Sequence, residues 1–177
     1  MNFKESKKIV LTELTQTLNG ISEKDSGEFL DRLLKARRVF VVGAGRSRLM
    51  LQAFAKRLRH LGKESYVVGE TVAPAIGKDD LLVAASGSGK TEGVITIVKS
   101  AKKYKADIVF ITAAPPPSLK KTVGLLITIP CVRPSRQLMT SLFEQTLLLF
   151  CDSVCLVLKR RLKVSETQIQ KNHANLE

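Results

Sequence analysis

A chain of 177 residues, 44% apolar and 25% charged, is long enough for one packed domain and too apolar to stay disordered. Its net charge of +13 comes from scattered Lys and Arg with one small cluster at Lys159, Arg160, Arg161 and Lys163, and it has no Trp. Without a basic stripe or stacking aromatics this pattern does not favour nucleic acid; it suits a solvated surface that attracts small anions.

The first residues, MNFKESKK, lead into an amphipathic stretch and not into the apolar core of a signal peptide, so the expected location is the cytoplasm. Ile9, Leu11, Leu14 and Leu18 fall at helical spacing and predict a helix over 3–18. Phe29, Leu30, Leu33 and Leu34 predict a second over 22–37, with Ser22 and Asp25 or Ser26 at its cap. The period then changes. Apolar runs predict strands at 39–42, 65–68, 81–85, 107–112 and 125–129. Helical patterns over 48–61, 92–104 and 139–162 alternate with them, and a short tail helix covers 165–171. The run Pro115-Pro116-Pro117 bars a helix interior after the fourth strand.

Residues 138–158 reach bilayer length, but Glu144, Gln145 and Asp152 interrupt them, so they read as a buried helix and no membrane is expected. Cys131, Cys151 and Cys155 lie among apolar residues without metal-ligand spacing and read as buried free thiols of a reducing compartment. Strands apolar on both faces, alternating with helices, predict an α/β domain with a parallel sheet covered on two sides. A single domain over 1–177 then divides into N-terminal helices (1–37), an α/β core (38–163) and a C-terminal tail (164–177). In such sheets ligands sit beyond the carboxyl ends of the strands, which directs attention to the loops after strands one, three and five.

Ser86-Gly87-Ser88-Gly89-Lys90-Thr91 ends like a nucleotide P-loop. The first glycine of that motif would fall at Ala84, inside an apolar strand. No predicted strand ends in the Asp that would hold a magnesium water shell. A loop this short does not wrap a triphosphate. It does place three hydroxyls and the charge of Lys90 directly before a helix, which suits a phosphate monoester. Helix capping alone needs one hydroxyl, not three.

The loop after the first strand reads Gly43-Ala44-Gly45-Arg46-Ser47-Arg48. A dinucleotide fingerprint would carry a third glycine where Arg48 stands, although Glu70 imitates its ribose-binding acid. Two other readings are open: a turn that holds one phosphate with Ser47 and backbone amides, or a tight turn whose glycines serve geometry alone.

The stretches VFVVGAGRS, YVVGE, LLVAASGSGKT and SLFEQTLLLFCD occur in an order that resembles the sugar isomerase (SIS) domain. Within it they are most similar to the single-domain 6-phospho-3-hexuloisomerases, and the likeness extends to the tail HANLE. The resemblance implies a three-layer, flavodoxin-like fold with five parallel strands flanked by helices. It implies a homotetramer with sites near subunit contacts, and neither metal nor organic cofactor. It implies interconversion of a 3-hexulose 6-phosphate with fructose 6-phosphate, functionally linked to the hexulose-phosphate synthase that fixes formaldehyde in the ribulose monophosphate pathway. Gly45, Ser47, Ser86, Gly87, Ser88 and Thr91 would hold the phosphate, with Arg46 and Lys90 adding charge there or steadying an enediolate oxygen.

Moving a carbonyl along a sugar requires removal of the proton alpha to it, a task for a positioned carboxylate. Glu144, early in the apolar helix after the fifth strand, is the candidate base; its alternative role is an acid facing the helix dipole. His173 is either a proton shuttle serving a neighbouring subunit or an interface residue of the tail. His60 reads as a helix-end stabiliser before a sugar contact. Arg48 and Thr140 stand where the resembled family carries Gly, and KKTVGLL lacks its usual Ala-Asp. These departures touch the site rim and bear on substrate choice more than on fold. Two alternatives stay open: a noncatalytic module that senses a sugar phosphate, and an isomerase for arabinose 5-phosphate or sedoheptulose 7-phosphate.

Overall fold

The computed structural model describes residues 1–173 and Asn175. Its elements are α1 (Phe3–Asn19), α2 (Glu23–Lys35), β1 (Arg38–Val42), α3 (Gly45–His60), β2 (Glu64–Val67) and β3 (Leu81–Ala85). They continue with α4 (Glu92–Lys103), β4 (Asp107–Thr112), α5 (Pro117–Lys120), β5 (Leu125–Thr128), α6 (Ser141–Leu162) and α7 (Glu166–Asn172). The five strands form one parallel sheet in the order β2-β1-β3-β4-β5. This is the flavodoxin-like doubly wound order, and it puts the switch point between β1 and β3.

Successive strand residues face opposite sides of the sheet. Val39, Val41, Leu81 and Val83 join Phe29, Leu33, Phe54, Leu58 and Leu147 in one core layer. Phe40, Val42, Leu82, Ala84 and Phe110 meet Val94 and Val98 of α4 in the other. α6 is long and apolar enough to cross a bilayer. Here it lies in the first core layer, with Leu147, Phe150, Cys151, Val154 and Leu158 buried.

One boundary is corrected, and two local features refine the pattern. α3 begins at Gly45, three residues earlier than the apolar pattern indicated, because Gly45 adopts φ +54° and turns the chain from β1 straight into the helix. The proline run stays out of any helix interior, as expected: Pro116 caps the short α5 and Pro117 opens it at its first position, where the missing N–H costs nothing. In α1 the buried positions are Glu13 and Thr17, while Leu11 is 57% exposed. The expected cap of α2 is present: Ser22 Oγ accepts from the Asp25 amide at 3.1 Å.

Charge pairs fasten the edge of the sheet opposite the ligand end. Asp80, with its side chain fully buried just before β3, accepts from Arg38 at 2.7 and 3.0 Å and from the Gly77 amide at 2.8 Å. Burial opposes its ionisation, but Arg38, Gly77 and Arg37 outweigh that and hold its carboxyl below the ordinary 3.8. Asp107, which opens β4, pairs with Arg32 of α2.

Candidate active site

The loops at the carboxyl ends of β1, β3 and β5 converge beside the switch point. The N-termini of α3 and α4 both open here without a side-chain cap, so their first amides and positive dipole ends face outward unspent. Thr91 is the N-cap of α4, yet its hydroxyl turns to Ser86 Oγ at 2.8 Å. Ser86 Oγ is also 3.4 Å from Ser88 Oγ, which accepts from the Lys90 amide at 3.2 Å. The three hydroxyls therefore form one cluster, with Ser86 buried at its base. The Gly89 amide closes the turn onto the Ser86 carbonyl at 3.0 Å. Gly89 sits at φ +67°, and a Cβ there would come within 2.5 Å of the Ala114 carbonyl oxygen.

Across from this loop runs a cleft of about 450 Å³. Ser88, Lys90, Arg133, Ser135, Thr140 and Phe143 are among its lining residues, as is Gly87. Lys90 and Arg133 give it positive walls, which attract a phosphate.

Glu144 lies one turn into α6 and is 6% exposed. Both carboxylate oxygens are engaged. Arg46 Nε donates to Oε2 at 2.5 Å, and Thr140 Oγ1 donates to Oε1 at 2.9 Å. Thr140 thus has two neighbours: it lines the cleft on one side and touches the candidate base on the other. The Thr that departs from the family motif is a contact of the base, not only a rim residue. Gly45 and the buried Ser47 stand in the first turn of α3 beside Arg46.

His173 does not join this group within its own chain. Its ring stacks on His60 at 5.0 Å, at the C-terminal end of α3. That is roughly 21 Å along the helix from Arg46 at 1.5 Å per residue. Asn172 Nδ2 also donates to the His60 carbonyl at 3.1 Å, so the tail seals the end of α3. The remaining tail residues Ala174, Leu176 and Glu177 lie outside the described residues. Glu70 lines a separate cavity of about 300 Å³ with Val68, Pro74 and Ile76. No three His, Cys, Asp or Glu side chains cluster as metal ligands among the described residues.

Residues 32–151 match the family model described as the SIS domain. The chain belongs to the SIS domain family. Within that family it is 43% identical to the 3-hexulose-6-phosphate isomerase of Methanocaldococcus jannaschii over 150 residues, covering 83% of this chain and 81% of the relative. It is 36% identical to the 3-hexulose-6-phosphate isomerase of Bacillus subtilis over 176 residues, covering 95% of each. A crystal structure from Methanococcus jannaschii, described as inferring a molecular function of 3-hexulose-6-phosphate isomerase, superposes with a TM-score of 0.88 at 36% identity. The superposition covers 98% of this chain and 99% of that one.

The sequence pointed to the loop after β5 but not to which of its residues line this SIS site. Cys131, Val132, Arg133 and Ser135 come from the irregular segment between β5 and α6. Burial pushes the Cys131 thiol up, with Arg133 opposing. This segment is tied to Glu13 of α1, which accepts from Ser135 Oγ at 2.8 Å, the Arg136 amide at 2.8 Å and Gln137 Nε2 at 3.1 Å. The one sequence signal was an acid inside the amphipathic pattern of α1.

Proposed function

We propose that this chain is a 6-phospho-3-hexuloisomerase, which interconverts D-arabino-3-hexulose 6-phosphate and fructose 6-phosphate. The observation that carries this reading is the placement of Glu144. It is a buried carboxylate held by two donors, and its partner Thr140 lines a cationic cleft that Ser88 and Lys90 of the three-hydroxyl loop also line. The likeness to relatives of that name over most of the chain supports the same choice.

In this reading the phosphate rests on Ser86, Ser88, Thr91 and the open end of α4, with Lys90 adding charge. The hexulose phosphate carries its carbonyl at C3. Glu144 takes the proton from C2, and the electron pair moves to form the 2,3-enediolate. A proton returned to C3, with the O2 proton passed to O3, leaves the carbonyl at C2 and a hydroxyl at C3. Atoms and electrons balance without an external oxidant. Arg46, more than half exposed, turns from Glu144 towards the enediolate oxygen as charge develops there.

The chain works as a homo-oligomer, a tetramer, in which His173 serves a neighbouring site. Support comes from the outer face of α6, where Leu149, Leu156 and Val157 are 39%, 67% and 40% exposed. The proposed setting is the cytoplasm, with a hexulose-phosphate synthase supplying substrate.

The test mixes purified protein with ribulose 5-phosphate, formaldehyde and a hexulose-phosphate synthase and follows fructose 6-phosphate, with Glu144→Gln alongside. Turnover by the wild type, reduced about 10²–10⁴-fold in the variant while binding persists, supports the assignment. Binding of fructose 6-phosphate without turnover by either protein replaces it with a sugar-phosphate sensor.

A further inference from the structure

Glu13 belongs to α1, outside the segment 32–151 matched by the family model. It is 8% exposed and bears a charge, a placement that side chains of its type adopt only when paired. Its partners all lie in one short segment, 122 to 124 residues away. Ser135 and Gln137 give it side-chain donors, and Arg136 gives a backbone amide and a nearby positive charge. Ser135 Oγ in turn accepts from the Gln137 amide at 3.1 Å. Among the described residues, the hydrogen bonds that tie 135–137 to the rest of the chain all end on Glu13.

The tied segment is a wall of the cleft, carrying Arg133 and Ser135 opposite Ser88 and Lys90. It runs from the end of β5 at Thr128 to the start of α6 at Ser141 with no regular structure of its own. A wall of that kind holds its shape only through outside contacts.

We propose that Glu13 is a positioning residue for substrate binding: it fixes the 131–137 wall so that Arg133 and Ser135 face the phosphate loop. The proposal rests on the reading of the cleft as a sugar-phosphate site. Glu13 touches no substrate, so its effect belongs to affinity and not to the proton transfer at Glu144.

The experiment measures fructose 6-phosphate binding by calorimetry, and KM and kcat by the coupled assay. The proteins are wild type, Glu13→Gln, Arg133→Ala and the double variant. Gln keeps the shape of Glu13 but offers an NH2 to groups that are themselves donors. Glu13→Gln is expected to weaken binding and raise KM about tenfold, the size of one lost charge-assisted hydrogen bond, with kcat within about twofold. The double variant should lose less than the sum of the two single losses, because both changes act through one wall. Should Glu13→Gln fail to fold, Gln137→Leu removes one donor from the loop side and is expected to raise Kd in the same direction. Unchanged binding in these variants, or additive losses in the double variant, overturns the proposal. Wild type that binds without turnover sinks the isomerase reading and leaves the Glu13 comparison intact. Wild type that does not bind overturns both.

Discussion

Arg46 Nε donates to Glu144 Oε2 at 2.5 Å across 98 residues of sequence. The pair joins the loop after β1 to the first turns of α6, and its members differ in freedom: Arg46 is 57% exposed at its side chain and Glu144 9%. The anion is buried and the cation reaches solvent. Arg46→Ala should therefore lower kcat by roughly 10²-fold, the scale of a lost transition-state donor. Removing Arg46 leaves the buried Glu144 with Thr140 as a remaining donor, so Tm should also fall. Coupled-assay kinetics and thermal melts read the two effects separately, and a kcat within twofold of wild type removes Arg46 from the reaction.

Thr140 offers a cleaner test of how Glu144 is held. Thr140→Val keeps the branched shape and removes the donor to Oε1. A hydrogen bond to a charged group is worth about 1.5–3 kcal/mol, so kcat should fall roughly tenfold or more with KM nearly constant. Equal kcat in the two proteins would mean that the hydroxyl leaves the carboxylate indifferent.

Gly89 controls the phosphate loop through its backbone. It has φ +67°, and an added Cβ would lie 2.5 Å from the Ala114 oxygen and 2.7 Å from Pro116 Cδ. Gly89→Ala must strain the turn or push the loop from the strand-four connection, at a cost of about 1–3 kcal/mol. The expected result is a lower Tm together with a raised Kd for fructose 6-phosphate. Gly27→Ala in α2, with nothing within 4 Å of its Cβ, is the control; it should leave Kd unchanged and not lower Tm.

Acid sensitivity should trace to Asp80 and Glu13, which both titrate below their ordinary values. For Asp80, burial opposes ionisation and the bonds from Arg38, Gly77 and Arg37 outweigh it. For Glu13, burial is likewise outweighed, by the Arg136 amide, Ser135, Gln137 and the Arg136 charge. A carboxylate with a depressed folded-state value contributes stability that is complete above its unfolded value, 3.8 for Asp and 4.5 for Glu here. That stability drains as pH falls through the folded value. Asp80→Asn leaves Arg38 without its buried anion and should cost about 3 kcal/mol at neutral pH. Its denaturation profile should also be flatter than wild type below pH ~4. Parallel wild-type and variant profiles would show that Asp80 does not carry the acid limb.

The sheet was readable from the sequence because its signal is local. β3 and β4 occupy 81–85 and 107–112 as the apolar runs require, and each is buried on both faces. The hydroxyl loop was readable for the same reason: Ser86, Ser88 and Thr91 cluster within six residues. The irregular segment before α6 has no period to detect, so Arg133 and Ser135 became visible only when folding set them opposite Lys90. α1 forms where its spacing requires, but the contact that matters is made by Glu13, which helical spacing alone does not single out. The Thr140 contact depends on the hydroxyl turning to Glu144 instead of capping α6, a choice of rotamer that sequence spacing does not encode.

The two ends of the strands divide the chain's labour. At one rim the cations are already spent, Arg38 on Asp80 and Arg32 on Asp107. At the other rim Lys90 and Arg133 face an open cleft. A lineage can therefore exchange side chains around the cleft and try new sugar phosphates while the anchoring rim stays as it is. Fold and substrate preference are free to evolve on separate clocks.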